Sequence, residues 1–186
     1  MPVATLGPSG WQVAPNQVSR LRVDDDEIGF FQGWQFRAYY ELSIATGAER
    51  SFRFTSPVDF ILSSQRMDLD AGGLRAAIFV GAVTPAGVWT QIPIVGRNRM
   101  SNRLRPEPFY AAQVTIETGG TFTGGTEVEV IRLRSASQSV AAATVGISSG
   151  DERGLPAGTY YIRMQPLAGV NDTSTGLYTL AWEERP

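Results

Sequence analysis

Alternation of apolar and polar residues is the feature that most constrains the fold of this chain. Side chains of a β-strand point to opposite faces in turn, so a period of two predicts strands with one buried face. About nine such segments follow one another along the sequence, with turn signals between them. VWTQIPIV, YAAQVTIET and EVEVIRLRS are three of them. The longest stretch, FFQGWQFRAYYELSIA, puts these apolar residues in alternate positions: Trp34, Phe36, Ala38, Tyr40, Leu42 and Ile44.

The segments between these strands carry turn chemistry. TPAG (84–87) has Pro and Gly where a β-turn prefers them, and DAGG (70–73) predicts another turn. The two Gly-Gly pairs of TGGTFTGGT (118–126) predict a hairpin or a flexible tip, because no helix follows to form a phosphate loop. No segment sustains a helical period of 3.6 residues. We therefore predict an all-β fold, an antiparallel β-sandwich or jelly-roll-like domain.

The chain of 186 residues is predicted to form one domain with an extended N-terminal arm. Pro and Gly interrupt any periodic pattern in residues 1–28, which predicts that this segment is the arm. Trp11 is one of the apolar residues that can anchor the arm to a surface. Residues 29–186 form the sandwich. There is no signal-peptide pattern and no apolar run long enough to span a membrane, which predicts synthesis in the cytoplasm and no membrane partner.

Three residue types are missing, and their absence limits the chemistry. The sequence has no Cys, no His and no Lys, so all 16 basic residues are Arg. These absences exclude thiolate and Schiff-base chemistry and the usual general base. Glu127 and Glu129 are predicted to share a solvent-facing side of one strand. We expect a protein that is not an enzyme and has no catalytic residues, cofactor or metal.

Two acidic segments have some of the residues that a calcium site needs. VDDDE (23–27) has adjacent acids that point to alternate sides, which favours a solvated run over a coordination shell. DLDAGG (68–73) begins like an EF-hand loop, but Phe79 stands where the bidentate Glu is needed, and a β-turn is the favoured interpretation.

The stretch GRNRMSNRLRP (96–106) is the candidate binding segment. It contains Arg97, Arg99, Arg103 and Arg105 and no acid, so its charge is +4. Because the net charge of the whole chain is -2, the rest of the chain carries -6. The guanidinium fork grips carboxylates well. No basic face accompanies it, which argues against nucleic acid. Three interpretations stay open: a grip on an acidic protein, a brace within the fold, and a solvated loop.

The aromatic residues allow a second function. Trp and Tyr rings stack on the apolar faces of sugars, so a carbohydrate-binding module is an alternative. Most of these rings occupy alternating positions that a sandwich core would use, and core packing is the favoured interpretation. Tyr160 and Tyr161 point to opposite faces, so at most one of them is expected in the core. The aromatic residues concerned are Trp34, Trp89, Tyr160, Tyr161, Tyr178 and Trp182.

Three segments carry a resemblance to a known class of proteins. They are IPIVGRNRMSNRLRPEPFYAAQVTIETGGTFTGGTEVEVIRLR, ERGLPAGTYYIRMQPLAG and GLYTLAWEER. Together they resemble small structural proteins of tailed bacteriophages that are encoded near the major capsid protein. The resemblance covers residues 30–185.

This resemblance implies a capsid cement (decoration) protein that docks on an HK97-type shell. The implied partners are the major capsid protein and other copies of the chain, as a homotrimer or, second, a dimer. The implied location is the outer surface of the virion. The arm with Trp11 and the four arginines would clamp neighbouring subunits. Two alternatives remain, a receptor-binding fibre head that binds carbohydrate and a low-copy neck or tail-completion protein.

Overall fold

The computed structural model describes residues 5–6, 12–13, 28–97, 110–135, 143–146, 153–169 and 173–184. Nearly all of these residues are in β-strands or in the turns between them. One short helix, α1, spans Ile28–Phe31. The strands in chain order are β1 (Thr5–Leu6), β2 (Gln12–Val13), β3 (Gln35–Ile44), β4 (Arg50–Ser56), β5 (Phe60–Ala71), β6 (Gly73–Ala86), β7 (Thr90–Gln91), β8 (Val95–Gly96), β9 (Thr115–Thr118), β10 (Thr121–Arg134), β11 (Ala143–Gly146), β12 (Arg153–Leu155), β13 (Gly158–Pro166) and β14 (Ser174–Glu184).

Two antiparallel sheets pack face to face. Sheet I has the order β11-β5-β14-β3-β8, with β12 also paired to β5. Sheet II has the order β10-β6-β13-β4-β9-β7. The predicted all-β sandwich is therefore confirmed. The strands β1 and β2 pair with each other, and neither belongs to sheet I or sheet II.

The strand pairs are nested along the chain. β3 pairs with β14, β4 with β13, β5 with β12 and β11, and β6 with β10. This is a long antiparallel hairpin rolled up so that its successive pairs alternate between two sheets, which is the arrangement of a jelly roll. The short strands β7, β8 and β9 are inserted between β6 and β10. The nesting brings the two ends of the sandwich, β3 and β14, side by side.

The core lies between the two sheets and follows the alternation of the sequence. Along β3 the predicted inward residues Phe36, Ala38, Leu42 and Ile44 are all buried. Phe52 of β4 sits between the rings of Tyr40 and Tyr178, at centroid distances of 5.2 and 5.4 Å. The other large side chains that are fully buried include Met67, Leu69, Leu74, Val114, Ile116, Met164 and Trp182.

The predicted turn at TPAG is wrong, because β6 runs through it. Thr84 pairs with Thr123 and Pro85 with Phe122, and the strand ends only at Ala86. Proline is tolerated here because the pairing between β13 and β6 extends only as far as Phe79. On that side the strand is an edge, where the missing N–H leaves no partner unsatisfied.

The TGGTFTGGT segment is also not a hairpin tip. It spans the end of β9 and the first part of β10. Gly124 and Gly125 have φ angles of 76° and 81°, and the register shifts between Gly124 and Thr126. This bulge bends the end of the β6–β10 ribbon over the outer face of sheet II. Phe122 is thereby buried against Phe79 and Tyr161, at centroid distances of 5.2 and 5.1 Å.

Two predicted strands are shorter than the sequence pattern indicated. VWTQIPIV forms only β7 and β8, because the chain crosses from sheet II to sheet I between them. YAAQVTIET forms hydrogen-bonded strand only from Thr115 onward. Tyr110, Ala112 and Val114 still face the core, as their alternation predicts. At DAGG the chain bends only at Gly72, which has a φ of 82° and lies between the end of β5 at Ala71 and the start of β6 at Gly73.

Candidate functional site

Glu184, at the end of β14, organises one corner of the sandwich. It is completely buried. Its carboxylate accepts hydrogen bonds from the backbone N–H groups of Gln113 and Val114, at 2.8 and 3.1 Å. It also accepts from the Tyr110 hydroxyl at 3.1 Å and from the Trp182 indole N–H at 2.9 Å. The carboxylate thus satisfies two backbone N–H groups of residues 110–114, a segment outside the strands.

Glu183, the residue before Glu184, begins a second series of polar contacts. Gln35 donates through Nε2 to the Glu183 carboxylate at 3.0 Å. The Arg97 guanidinium donates to Gln35 Oε1 at 3.0 Å, and the Arg97 backbone N–H donates to the Gln35 carbonyl at 2.8 Å. The first residue of the Arg-rich stretch is therefore held to β3 through both its backbone and its side chain.

Helix α1, which precedes β3, packs at the same corner. Gly29 in α1 is buried so tightly against the Glu183 carboxylate that a Cβ at this position would overlap it. The Gly29 carbonyl accepts from the Trp34 N–H at 2.8 Å, and the Trp34 carbonyl accepts from the Glu184 N–H at 3.0 Å. We call the set of Gly29, Gln35, Arg97, Tyr110, Glu183 and Glu184 the anchor corner.

The anchor corner holds both ends of the Arg-rich connection. Arg97 lies at its start, and Tyr110 follows the stretch and packs on Phe36 at a centroid distance of 6.0 Å. Arg97 is exposed and uses part of its guanidinium to brace Gln35, which supports the interpretation of this residue as a brace within the fold. Arg99, Arg103, Arg105 and Trp11 lie outside the described residues, so their partner-binding role stays a prediction.

The charge of Glu184 acts on the phenol beside it. Burial is the main cause that raises the pKa of Tyr110 to about 12, and the negative charge of Glu184 is the second cause. The phenol therefore stays protonated and keeps donating to the carboxylate far above neutral pH.

A cavity of about 250 Å³ lies between the two sheets, near the edge formed by β10 and β12. Its walls are almost entirely apolar. The lining includes Phe54, Phe60, Leu62, Ile78, Ile162 and Leu180, with Leu155 and Val128 toward the edge. Val128 is 56% exposed, which places it at the mouth. A cavity of this kind is the usual shape of a small-molecule site.

Four side chains with polar atoms line the cavity, namely Gln65, Glu129, Tyr160 and Tyr178. The Tyr160 hydroxyl donates to the Pro156 carbonyl at 2.8 Å. Gln65 is only 3% exposed and donates through Nε2 to the Tyr178 hydroxyl at 3.0 Å, while its Oε1 has no hydrogen-bond partner. Complete burial raises the pKa of Tyr178 far above its ordinary value, and the nearby charge of Glu129 acts in the same direction. The phenol is therefore a permanently neutral group.

The predicted solvent-facing pair of Glu127 and Glu129 is wrong. A register shift between these two residues in β10 puts them on different sides of the strand. Glu127 bonds to Arg75 at 2.6 Å on the outer face, whereas Glu129 lines the cavity. The strict alternation assumed from the sequence fails wherever a bulge inserts an extra residue.

Gln65 was missed by the sequence reasoning for a similar reason. Leu62 pairs with Trp182 and Ser64 pairs with Ala181, so Ser63 is an extra residue in β5. The bulge inverts the phase of the strand, so that Gln65 faces inward. A signal was present in the sequence, because the apolar positions switch from Phe60 and Leu62 to Met67 and Leu69.

The candidate sugar-binding aromatics are mostly internal. Tyr178 and Trp182 are each 1% exposed, in line with the core interpretation. Tyr160 packs against the main core, and Tyr161 is buried on the opposite face of sheet II under Phe122 and Trp89. The expectation that at most one of these two tyrosines is in the core thus holds for the main core, although both are covered.

Two arginines stack on aromatic rings at the outer face of sheet II. These rings, which we call the outer aromatic cluster, are Phe79, Trp89, Phe122 and Tyr161. The Arg163 guanidinium lies 4.4 Å from the centre of the Phe122 ring and donates to the Phe122 carbonyl. Arg53 lies 4.9 Å from the Trp89 ring and forms an ion pair with Glu117 at 2.6 Å. A planar guanidinium both stacks and forms directed hydrogen bonds, which an ammonium does less well.

Within the part of the chain that the structure describes, no group of three or more His, Cys, Asp or Glu residues is arranged to hold a metal ion. Among the same described residues, no helix has the length and apolar character needed to cross a membrane.

The geometry thus defines a β-sandwich with an anchor corner and an internal apolar cavity. No protein-family model matches the sequence, and no curated protein matches it significantly.

Proposed function

We propose that this chain is a non-enzymatic structural protein of a tailed-bacteriophage particle, a capsid cement protein that attaches to the major capsid protein of an HK97-type shell. The proposal begins from the resemblance of residues 30–185 to such proteins. One observation supports it: Gly29, which follows the predicted arm, and Arg97 and Tyr110, which lie on either side of residues 98–109 in the sequence, all belong to the anchor corner. Two extensions that start from one corner can clamp neighbouring shell subunits, and repeated weak contacts over a shell gain strength by avidity.

The arginines of the connection are the proposed grip on acidic capsid residues. Arg97, the first arginine of the stretch, is held to Gln35, and Arg99, Arg103 and Arg105 follow it in the sequence. Guanidinium groups at the rim of an interface act through charge, and their contribution weakens as salt increases.

Attachment can be tested by co-sedimentation of purified protein with shells assembled from the major capsid protein. We expect a triple Arg99→Gln, Arg103→Gln, Arg105→Gln variant to bind at least about tenfold more weakly, a loss of roughly 1.4 kcal/mol. The matched control changes Arg66, Arg132 and Arg134, three exposed arginines of the sandwich, to Gln. The control alters net charge equally and should bind as the unchanged protein does. Equal binding by both triple variants would refute the arginine grip.

The number of copies in each particle separates this proposal from its alternatives. A cement protein is present in hundreds of copies, whereas a neck or tail-completion protein is present in about a dozen or fewer. The protein should also form a homotrimer, with a dimer as the second choice, and light scattering of the purified chain measures this. A glycan array tests the receptor-binding alternative, for which the buried positions of Tyr178 and Trp182 offer no support.

A further inference from the structure

We propose that the cavity between the sheets binds a small, uncharged, apolar molecule that carries one hydroxyl group. This inference is independent of the attachment proposal, because the cavity lies inside the sandwich and shares no residue with the anchor corner. The size of the cavity, its lining and an unmatched buried polar atom together define the ligand.

The size and the lining of the cavity favour an apolar ligand of modest length. A dry apolar cavity of about 150 Å³ holds a benzene molecule, so about 250 Å³ accommodates roughly ten non-hydrogen atoms. The lining of Phe, Leu and Ile side chains offers few hydrogen bonds. A free sugar would therefore lose its hydration without replacement, whereas an alkyl chain or a ring gains from transfer out of water.

The buried amide of Gln65 selects the polar group of the ligand. Its Oε1 has no partner although the side chain is almost fully buried, and leaving such a group unmatched destabilises a protein. If the amide is turned over, the Tyr178 hydroxyl donates to Oε1 and the unmatched atom becomes Nε2 instead. A ligand hydroxyl serves in both cases, because it can donate and accept.

The charge at the cavity wall excludes an anionic ligand. Glu129 lines the same cavity, so a carboxylate would meet a like charge in an apolar environment. An alcohol with about eight carbons satisfies the apolar walls and Gln65 without bringing in a charge.

The test uses three probes with one tail, 1-octanol, octanoate and octylammonium, titrated at pH 7 by calorimetry. Methyl NMR of Leu62, Ile78 and Leu180 locates the binding. We expect 1-octanol to bind and to shift these methyl signals, and octanoate to bind at least about tenfold more weakly. Octylammonium that binds more tightly than 1-octanol would assign the polar contact to Glu129 and overturn the proposal. No heat and no methyl shift with saturating 1-octanol would also overturn it.

One pair of single variants and one double variant test the proposed site further. Val128→Trp should close the mouth and reduce 1-octanol binding at least about tenfold, while Val130→Trp, on the same strand but outside the lining, should leave it unchanged. The double variant Gln65→Leu, Tyr178→Phe removes both partners of the buried hydrogen bond and should lower the affinity for 1-octanol about tenfold. Unchanged 1-octanol binding in Val128→Trp or in the double variant would refute the proposed site. Capsid co-sedimentation is expected to be unaffected by these changes, so failure here leaves the attachment proposal standing.

Discussion

At the scale of single residues, a few polar side chains hold segments of the sandwich in position. Glu184 gathers four hydrogen-bond donors and joins residues 110–114 to the end of β14. Arg53 and Arg163 are internal braces stacked on aromatic rings. A basic set made only of arginine therefore has a physical use in this protein, because several of its members work as fixed planar donors rather than as mobile surface charges.

We predict that Glu184→Gln lowers the free energy of unfolding by about 2–4 kcal/mol. The amide keeps one accepting oxygen and turns an NH2 group toward buried donors, which leaves backbone N–H groups unsatisfied. Urea unfolding followed by circular dichroism measures the change. Glu41→Gln, on an exposed position of β3, is the control and should cost less than about 0.5 kcal/mol. Equal small effects of both changes would contradict the role given to Glu184.

The raised pKa of Tyr110 predicts a loss of stability at alkaline pH. In the unfolded chain this phenol ionises near pH 10, and in the folded protein near pH 12. Between these values the folded state binds more protons, so the free energy of unfolding falls as the pH rises through the interval. The contribution is complete below pH 10.

Urea unfolding at several pH values between 9 and 12 checks this expectation. Tyr110→Phe should flatten part of the decline, because the phenylalanine ring does not titrate. The remaining decline should come from Tyr160 and Tyr178, whose pKa values are also raised by burial. An identical pH profile in the Tyr110→Phe variant would show that this phenol has an ordinary pKa.

At the scale of elements, the bulges decide where side chains point. The extra residue Ser63 in β5 turns Gln65 into the cavity, and the register shifts in β10 separate Glu127 from Glu129 and bend the ribbon. Each bulge changes the faces of all residues beyond it until the next irregularity. The cavity and the outer aromatic cluster therefore both depend on irregularities of the strands.

Glycine is required at the bend of β10. Gly124 has a φ of 76°, and an added Cβ would lie 2.7 Å from the Ala82 carbonyl oxygen. Gly81, on the paired strand, has a φ of 90° with open space around it. We predict that Gly81→Ala costs about 1 kcal/mol and that Gly124→Ala costs about 1–2 kcal/mol more.

Thermal unfolding followed by near-ultraviolet circular dichroism measures both changes. The aromatic signal of Phe122 and Tyr161 should weaken in Gly124→Ala, because the bend that covers them is strained. Equal effects of the two substitutions would mean that the close approach to Ala82 is relieved without cost.

At the scale of the whole molecule, the nested pairing builds the sandwich and places its ends together. β3 and β14 are neighbours, so α1, which precedes β3, meets Glu183 and Glu184 of β14 at the anchor corner. Most strand pairs join distant parts of the chain, which predicts slow folding, on the order of milliseconds to seconds.

Deletion of residues 1–27 tests the division between arm and sandwich. β1 and β2 pair only with each other among the strands that the structure describes, so we expect the free energy of unfolding to change by less than about 0.5 kcal/mol. Capsid attachment should fall at least about tenfold. A large loss of stability would instead make the arm part of the folding unit and move the boundary predicted after residue 28.

Much of the sandwich was predictable, because period-two alternation is a local property of each strand. Inward residues of β3 and even of the unpaired 110–114 segment were identified correctly from it. The prediction of a turn at TPAG was wrong because Pro85 lies in a strand, at the edge of a sheet. No local pattern in the sequence reveals which part of a strand will be at an edge. Of the candidate binding residues only Arg97 is described, and the cavity residue Gln65 escaped prediction because a bulge had changed the phase of its strand.

The pattern of residues along the chain was enough to predict the class of fold and the basic character of the connection after β8. Alternation, turn residues and charge are local properties, so they are visible in the sequence alone. The packed structure was needed to show which strands are neighbours, that Glu184 satisfies a segment distant in sequence, and that Gln65 and Glu129 meet inside one cavity. Those outcomes depend on register and on extra residues in single strands, and register is set by packing between segments far apart in the chain.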